Sequence, residues 1–422
     1  MKNLKLQLCL LAGFCTSTLS AQFSAGDGTA DAPFQIQNKE QLAEVANYLS
    51  SHFILMNDID LTNETWNQIG SFDQPFCGVF DGNGHKILGA SINSSASLWS
   101  GFFGYLNQGT IKNLHLENLS LKGNAIVGGL VGQIDNGGVV KNCIVEGSVT
   151  SFDNIAGGIV GCIYNGGGSI INCIADVTVT TGPASLTAGA IIGQCDDNGI
   201  IQNCLVKGAV NVGGRGAGAI GYFGCDEVLA PQNTVTGVVI TEMKVTRLAS
   251  WAGAEHFGRI IGTRNGSTGT IANNYVLTDH FDFIDVTPEQ VTEEKQGGEK
   301  SEIELKQQTT YETLGYAFGN NEFYPWIIKE NQEFPTLWYT QNTSTAIPTT
   351  EKRTDIRIYP NPASNLLQIT GKIDQAELYT ISGNLIGSHS QPVIDISDLP
   401  SGIYFIKITS GKNTHSYRFV KL

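Results

Sequence analysis

Charge is scarce in this chain, and positive charge scarcer. Charged residues make up 15% of the 422 positions, with 25 basic against 39 acidic, a net charge of −14. Nucleic-acid binding needs clustered Lys and Arg to displace counterions, so that class is excluded. Apolar runs are short: none approaches the roughly 20 residues of a membrane helix. There is no C-x-x-C for zinc, no H-E-x-x-H, and no G-K-[ST] behind a glycine run for a phosphate. "EHFG" at Glu255 to Gly258 lacks a second His at the needed spacing, and the seven His are scattered. No cofactor is implied.

What is abundant is glycine, 50 residues, with hydrophobics at 41%. That composition excludes disorder and suggests a β-rich fold with many turns. The opening "MKNLKLQLCLLAGFCTSTLSAQ" has Lys2 and Lys5, then an apolar run from Leu6 to Phe14 and small residues. It reads as a secretory leader over 1–21. A lipoprotein reading is weaker, because Cys15 comes one residue late after "LAGF". Of nine cysteines, Cys9 and Cys15 leave with the leader. Cys77, Cys143, Cys162, Cys173, Cys195, Cys204 and Cys225 remain. An odd count in a long chain is no disulfide framework.

The chain repeats. "GGLVGQIDNGGVVKNCIVEGSVT" from Gly128 is followed by "GGIVGCIYNGGGSIINCIADVTVT" from Gly157 and "GAIIGQCDDNGIIQNCLVKGAVNV" from Gly189. Anchored on asparagine, the register runs Asn113, Asn142, Asn172, Asn203, Asn233 and Asn274, with spacings of 29, 30, 31, 30 and 41. A closing glycine, at Gly104, Gly132, Gly161, Gly193, Gly221 and Gly262, precedes each by nine to twelve residues. The fourth unit reads "GAIG" and has Thr234 where Cys is expected. Short Val, Ile and Thr runs between Asn-Gly and Gly-Gly turns give about three strands per unit. The fold class this predicts is all-β: a parallel β-solenoid, each coil stacked on the next, followed by a small Ig-like antiparallel β-sandwich.

The flanks divide further. Residues 22–100 hold a cap helix over Asn38 to Ser51 and the first coils, where "DGNG" reads as a hairpin turn. Residues 101–284 carry the repeats. Over 285–339 an acidic exposed loop leads to an aromatic segment, "YPWIIKENQEFPTLWY", expected to cover the far end. A Thr-rich linker spans 340–355. A separate module of about six short strands fills 356–422.

Two resemblances follow from these residues. "GLVG" at Gly129 to Gly132 and "GIVG" at Gly158 to Gly161, with their spacing and the upstream "YLSSHFILMNDIDLTNETWNQIG", resemble the GLUG-motif family of bacterial surface proteins. "YPNPASNLLQI", "YTISGNLI", "IDISDLPSGIYFIKI" and "RFVKL" resemble the type A sorting domain of the Bacteroidetes type IX secretion system. Its motif falls on Tyr359, Pro360, Asn361, Pro362, Gly383, Leu399, Gly402, Tyr404 and Lys421. That resemblance implies a leader-directed step to the periplasm of a Gram-negative cell, and passage across the outer membrane through the type IX machinery. It also implies sortase cleavage and attachment to surface lipopolysaccharide or release.

The site candidates are weighed on this frame. Cys143, Cys173 and Cys204 read as an inward ladder of small apolar side chains rather than metal or redox thiolates, though neighbouring coils bring pairs near disulfide range. The asparagines read as a ladder of amides bonded from coil to coil rather than a glycan site. Asp81 and Asn83 in "DGNGH" are weighed for calcium, at the wrong length for a twelve-residue loop. Exposed aromatics stack on sugar rings, which makes Tyr324, Trp326 and Trp338 candidates, against a role as cap core. Asp58 with Asp60, and Asp196 with Asp197, are weighed as carboxylate pairs of a polysaccharide-active enzyme and lack an evident acid partner. The expectation is a non-catalytic surface protein with a structural or adhesive role, a stalk or adhesin-like module meeting glycans or host proteins. Its rival is a polysaccharide-active enzyme, lyase or hydrolase, using one face of the solenoid.

Overall fold

The computed structural model describes residues 23–422 other than 95, 225–231, 250–252, 267–268, 290–291, 343–357, 360–362, 372, 381–384, 411–412 and 422. The expected leader and nearly all of the linker lie outside the described residues. The chain divides into two compact units, Met1–Thr343 and Ser344–Leu422.

The first unit is a parallel β-solenoid of about six turns with four sheets. One turn shows the plan. The chain passes through sheet one as Ile126–Gly128, sheet two as Val131–Asp135, sheet three as Gly138–Lys141 and sheet four as Ile144–Ser151. Sheets one and two have six strands each, sheet three nine and sheet four eleven. Four strands replace the three expected per unit, for two local reasons. The run "GGLVGQI" breaks at a bend over Gly129 and Leu130. The "EG" pair does not break a strand: Gly147, at φ +137°, keeps regular register with the next coil inside one eight-residue strand. Gly208 repeats the device at φ +124°.

One continuous core fills the solenoid. A single turn contributes Val127, Leu130, Val131, Ile134, Val140, Cys143, Val145 and Val149. Each buried aliphatic is worth about 1.5–3 kcal/mol relative to exposure, and only stacked neighbours provide that burial. At the start, the helix is shorter than expected: Lys39–Glu44, followed by a 3-10 turn at Val45–Asn47. Asn38 caps it by accepting from the Gln41 amide, and Leu42 and Val45 enter the core.

Three expectations for the flanks change. "DGNG" is not a hairpin: Val79–Asp81 lies in sheet three and Lys86–Leu88 in sheet four, so the turn is a corner of a coil. The acidic stretch is not simply a loop. Glu293–Gln296 is helical, and Gly298–Lys300 pairs in parallel with Tyr275–Leu277 as the last strand of sheet four. This partial coil covers the far end, with the Lys295 carbonyl accepting from the Ile260 amide. The aromatic segment does not cover that end. It runs back along the flank of the stack as a strap, where Leu305, Tyr311, Leu314, Tyr316, Trp326, Leu337 and Tyr339 form a second core. They pack on the outward row Ile144, Ile174, Leu205 and Val239 of sheet four.

The second unit packs a three-stranded antiparallel sheet, including Leu366–Ile369, with a four-stranded one, including Gly402–Ser410 and Asn413–Lys421. Leu367, Ile369, Leu378, Ile394, Ile406, Ile408 and Phe419 make its core.

Candidate functional site: the two corners of the coil

The corner between sheets three and four is built on asparagine. Asn113, Asn142, Asn172 and Asn203 all have φ of +53 to +54°, the left-handed region that Asn enters most readily after Gly. Their amides bond along the stack: Asn142 Nδ2 donates to Asn113 Oδ1 at 3.1 Å, and Asn172 Nδ2 to Asn142 Oδ1 at 3.2 Å. Two members of the expected ladder are elsewhere. Thr236 pairs with Gln202, so the residue opposite Asn203 is Gly237, at φ +68°. Asn233 lies before that strand, accepting from the Gly199 amide and donating to the Cys195 carbonyl. In the last coil the corner residue is Asn273, at φ +57°. Asn274 occupies the cysteine position, where it bonds to Val238 and Val235. Extra residues between sheets two and three of the unit closed by Gly221 displace the register that a fixed count from that glycine assumes. Val238, not Thr234, therefore takes the cysteine position there.

Cys143, Cys173 and Cys204 are fully buried in the main core. Their thiols donate to the carbonyls two residues earlier, at 3.2 to 3.4 Å. Burial holds the Cys173 thiol well above its ordinary pKa. The six described cysteines are all free thiols, and Cys225 is outside the described residues.

The strap seals this corner. Gly315 accepts from Asn203, Tyr316 donates to the Gly237 carbonyl, Trp326 Nε1 donates to Asn172 Oδ1 at 3.2 Å, and Tyr339 donates to the Asn142 carbonyl at 2.9 Å. Glu322 meets Lys112 at 2.8 Å and Asn113 at 3.3 Å. Burial works to raise the Glu322 carboxyl, but Lys112 and Asn113 outweigh it and hold it below its usual value. Trp326 is therefore a wedge with no exposed surface, and Trp338 is half-buried. Only Tyr324 of the three aromatic candidates is exposed, at 51%.

The bend between sheets one and two is built on glycine. A Cβ on Gly128 would lie 1.9 Å from the Val131 carbonyl oxygen, and one on Gly132 would lie 2.5 Å from that of Gly104. Gly104, Gly132, Gly161, Gly193, Gly221 and Gly262 stand in register. The residue after each of these glycines faces a row of its own: Tyr105, Gln133, Cys162, Gln194, Tyr222 and Thr263. Among the described residues no strap packs here. Phe72, 55% exposed, stacks on Trp99 with centroids 4.9 Å apart. Trp99 Nε1 donates to Gln133 Oε1 at 2.6 Å. Gln133 donates to Tyr105 and Asp135, and Tyr105 donates to Asp135 at 2.6 Å. The result is an aromatic ledge, fixed from behind by buried polar groups. Higher on the same face the Arg215 guanidinium lies 4.8 Å from the Tyr222 ring centroid. The sequence reading missed this ledge. Its signal was available: the position after five of the six repeat glycines is polar or aromatic, Cys162 being the exception, in an otherwise aliphatic run.

The weighed carboxylates do not converge. Asp58 accepts from Lys86 N and meets His85, while Asp60 accepts from Thr62 N. Asp196 is buried and takes both bonds of Gln194 Nε2; Asp197 accepts from Gly166 N and Asn198. Asp81 is taken by the Asn83 amide and by Lys112 at 3.1 Å. In the second unit Tyr404 donates to the Pro400 carbonyl, Gly402 pairs with Lys421, and Leu399 packs on the core. Tyr359 pairs with Gln368. Pro360, Asn361, Pro362 and Gly383 are outside the described residues.

A glycine-bent parallel solenoid followed by an antiparallel sandwich defines a repeat protein with an appended module. Comparison with known families agrees for both parts. Residues 123–150 match the GLUG motif, and residues 357–422 match the secretion system C-terminal sorting domain. The chain thus carries a GLUG motif within its solenoid and a sorting tail of the kind used for type IX export, and neither is a catalytic family. Halomucin of Haloquadratum walsbyi is 35% identical over 121 residues, 25% of this chain and 1% of that protein. A Gly-rich membrane protein of Evansella cellulosilytica is 36% identical over 133 residues, 28% of this chain and 15% of that protein. The chain therefore spans only a small fraction of these curated relatives. Among the described residues no helix is long and apolar enough to cross a membrane.

Proposed function

We propose that this protein is displayed on the outer surface of a Gram-negative cell, or released from it, as a non-catalytic module that binds glycan. In this reading a leader takes it to the periplasm, the type IX machinery and its sortase process the tail, and lipopolysaccharide receives the passenger if it is anchored. The aromatic ledge carries the binding reading. Phe72, 55% exposed and backed by the stacked Trp99, offers a fixed aromatic surface to solvent, which suits stacking on a sugar ring. Host proteins remain the second class of ligand, through the exposed turns. The rival, a polysaccharide-active enzyme, is disfavoured because the weighed carboxylates are each engaged in a separate turn or side-chain bond. The test is a glycan array with the full chain, run beside a turnover screen on the same glycans. Binding without product, lost in Trp99→Ala, supports the reading. Depolymerisation would overturn it, and so would binding unaffected by Trp99→Ala.

A further inference from the structure

A second cluster lies on the outer face of sheet four, independent of the glycan reading. His115 and Glu117 are two apart on one strand, so they project to the same side. Glu146 stands beside them on the next coil, where Leu116 pairs with Val145. The ligand atoms of the three side chains all lie within 4.8 Å of one another. His115 is 5% exposed, and neither ring nitrogen makes a hydrogen bond of acceptable geometry. Its Nε2 nonetheless lies 3.2 Å from Glu146 Oε2. A buried imidazole without a hydrogen bond is costly, and this one is aimed at two carboxylates.

The surroundings favour a cation. Glu117, Glu146 and Asp176 supply three negative charges, while Lys86 and Lys207 supply two positive, which leaves one negative with a neutral imidazole. Lys86 holds Glu117 Oε2 at 2.6 Å, and Lys207 holds Asp176 at 2.6 Å. Neither lysine takes the gap between His115 and Glu146. Zinc binds imidazole nitrogen and carboxylate oxygen at about 2.0–2.2 Å, which puts the edge of its tetrahedron at about 3.3 Å. The 3.2 Å separation of Nε2 and Oε2 fits that edge.

We propose that His115, Glu117 and Glu146 form a site for one divalent transition-metal ion, with zinc the best match. Imidazole with two carboxylates suits zinc better than the all-oxygen sets preferred by calcium or magnesium. The fourth position is left to water. Because its ligands come from two coils, the ion clips one repeat to the next.

The experiment is a cobalt(II) titration of the chelator-stripped full chain, followed by competition with zinc. The expected result is one equivalent of cobalt with the visible bands of nitrogen and oxygen ligands, displaced by zinc. Glu146→Gln, half-exposed and near-isosteric, should weaken binding at least tenfold while the far-ultraviolet spectrum is kept. His115→Ala should do the same, and Glu242→Gln, exposed on another coil, should change nothing. No stoichiometric uptake by the wild type, thiolate charge-transfer bands, or uptake undiminished in Glu146→Gln would each overturn the proposal.

Discussion

The two corners of the coil solve the same problem with opposite chemistry. Each must turn a parallel strand sharply in every repeat. The asparagine corner does so with a left-handed backbone and then has side-chain amides to satisfy. They bond to one another and to the strap, so the corner is closed. The glycine bend turns with few side chains: a Cβ on Gly128 or Gly132 would lie 1.9 or 2.5 Å from a carbonyl oxygen. The glycines bring no side chain to satisfy, among the described residues no strap covers the bend, and the residue after each glycine varies along the stack. Closure goes with stability and openness with recognition, and the two corners can be broken separately.

The largest effect is expected at the bend. Gly161→Val places a Cβ 2.5 Å from the Gly132 carbonyl oxygen, a backbone clash that no rotamer relieves. Overpacking against backbone should cost about 4 kcal/mol or more and leave little soluble folded protein, read by circular dichroism and size exclusion. Next comes the strap. Trp326→Ala removes its wedge and should cost about 3–5 kcal/mol, with proteolysis inside 301–342 before the solenoid is cut. Smaller again is Asn142→Ala, which breaks three side-chain bonds and puts Ala in the left-handed region. About 1–3 kcal/mol should be lost in denaturant unfolding. Asn142→Gly should restore the backbone part.

Acid should loosen the closed corner with a defined sign. The Glu322 carboxyl is held below its usual value, so its contribution is complete above the unfolded pKa of about 4.3 and falls away as pH drops through the folded one. Strap protection against proteolysis should therefore decline below about pH 4 in the wild type. In Glu322→Gln it should be weaker at neutral pH and depend less on acid.

How much of this was legible in the sequence follows the same division. The coil, the glycines and three of the cysteine positions are set by local backbone demands, and a period of about 30 displays them. The asparagine ladder was legible for Asn113, Asn142, Asn172 and Asn203. It failed at Asn233 and Asn274, because a change in turn length moves the corner while leaving an Asn at a plausible count. The strap was not legible as a strap. Its aromatics announce burial, but only the row from Ile144 to Val239 tells where, and that row looks like any strand. The Trp99 ledge was hidden because its members lie on three coil segments, at residues 72, 99 and 105, outside the best repeats.

The most direct test of the comparison is one binding titration set beside one melting curve for two variants, Trp99→Ala and Asn172→Ala, using a glycan that the wild-type chain retains on an array. The account predicts a crossed result. Trp99→Ala should lose at least tenfold in affinity as a folded protein, and Asn172→Ala should melt several degrees lower with its affinity kept. If Asn172→Ala loses binding as a folded protein, or Trp99→Ala leaves it unchanged, the division between a closed structural corner and an open binding one is contradicted.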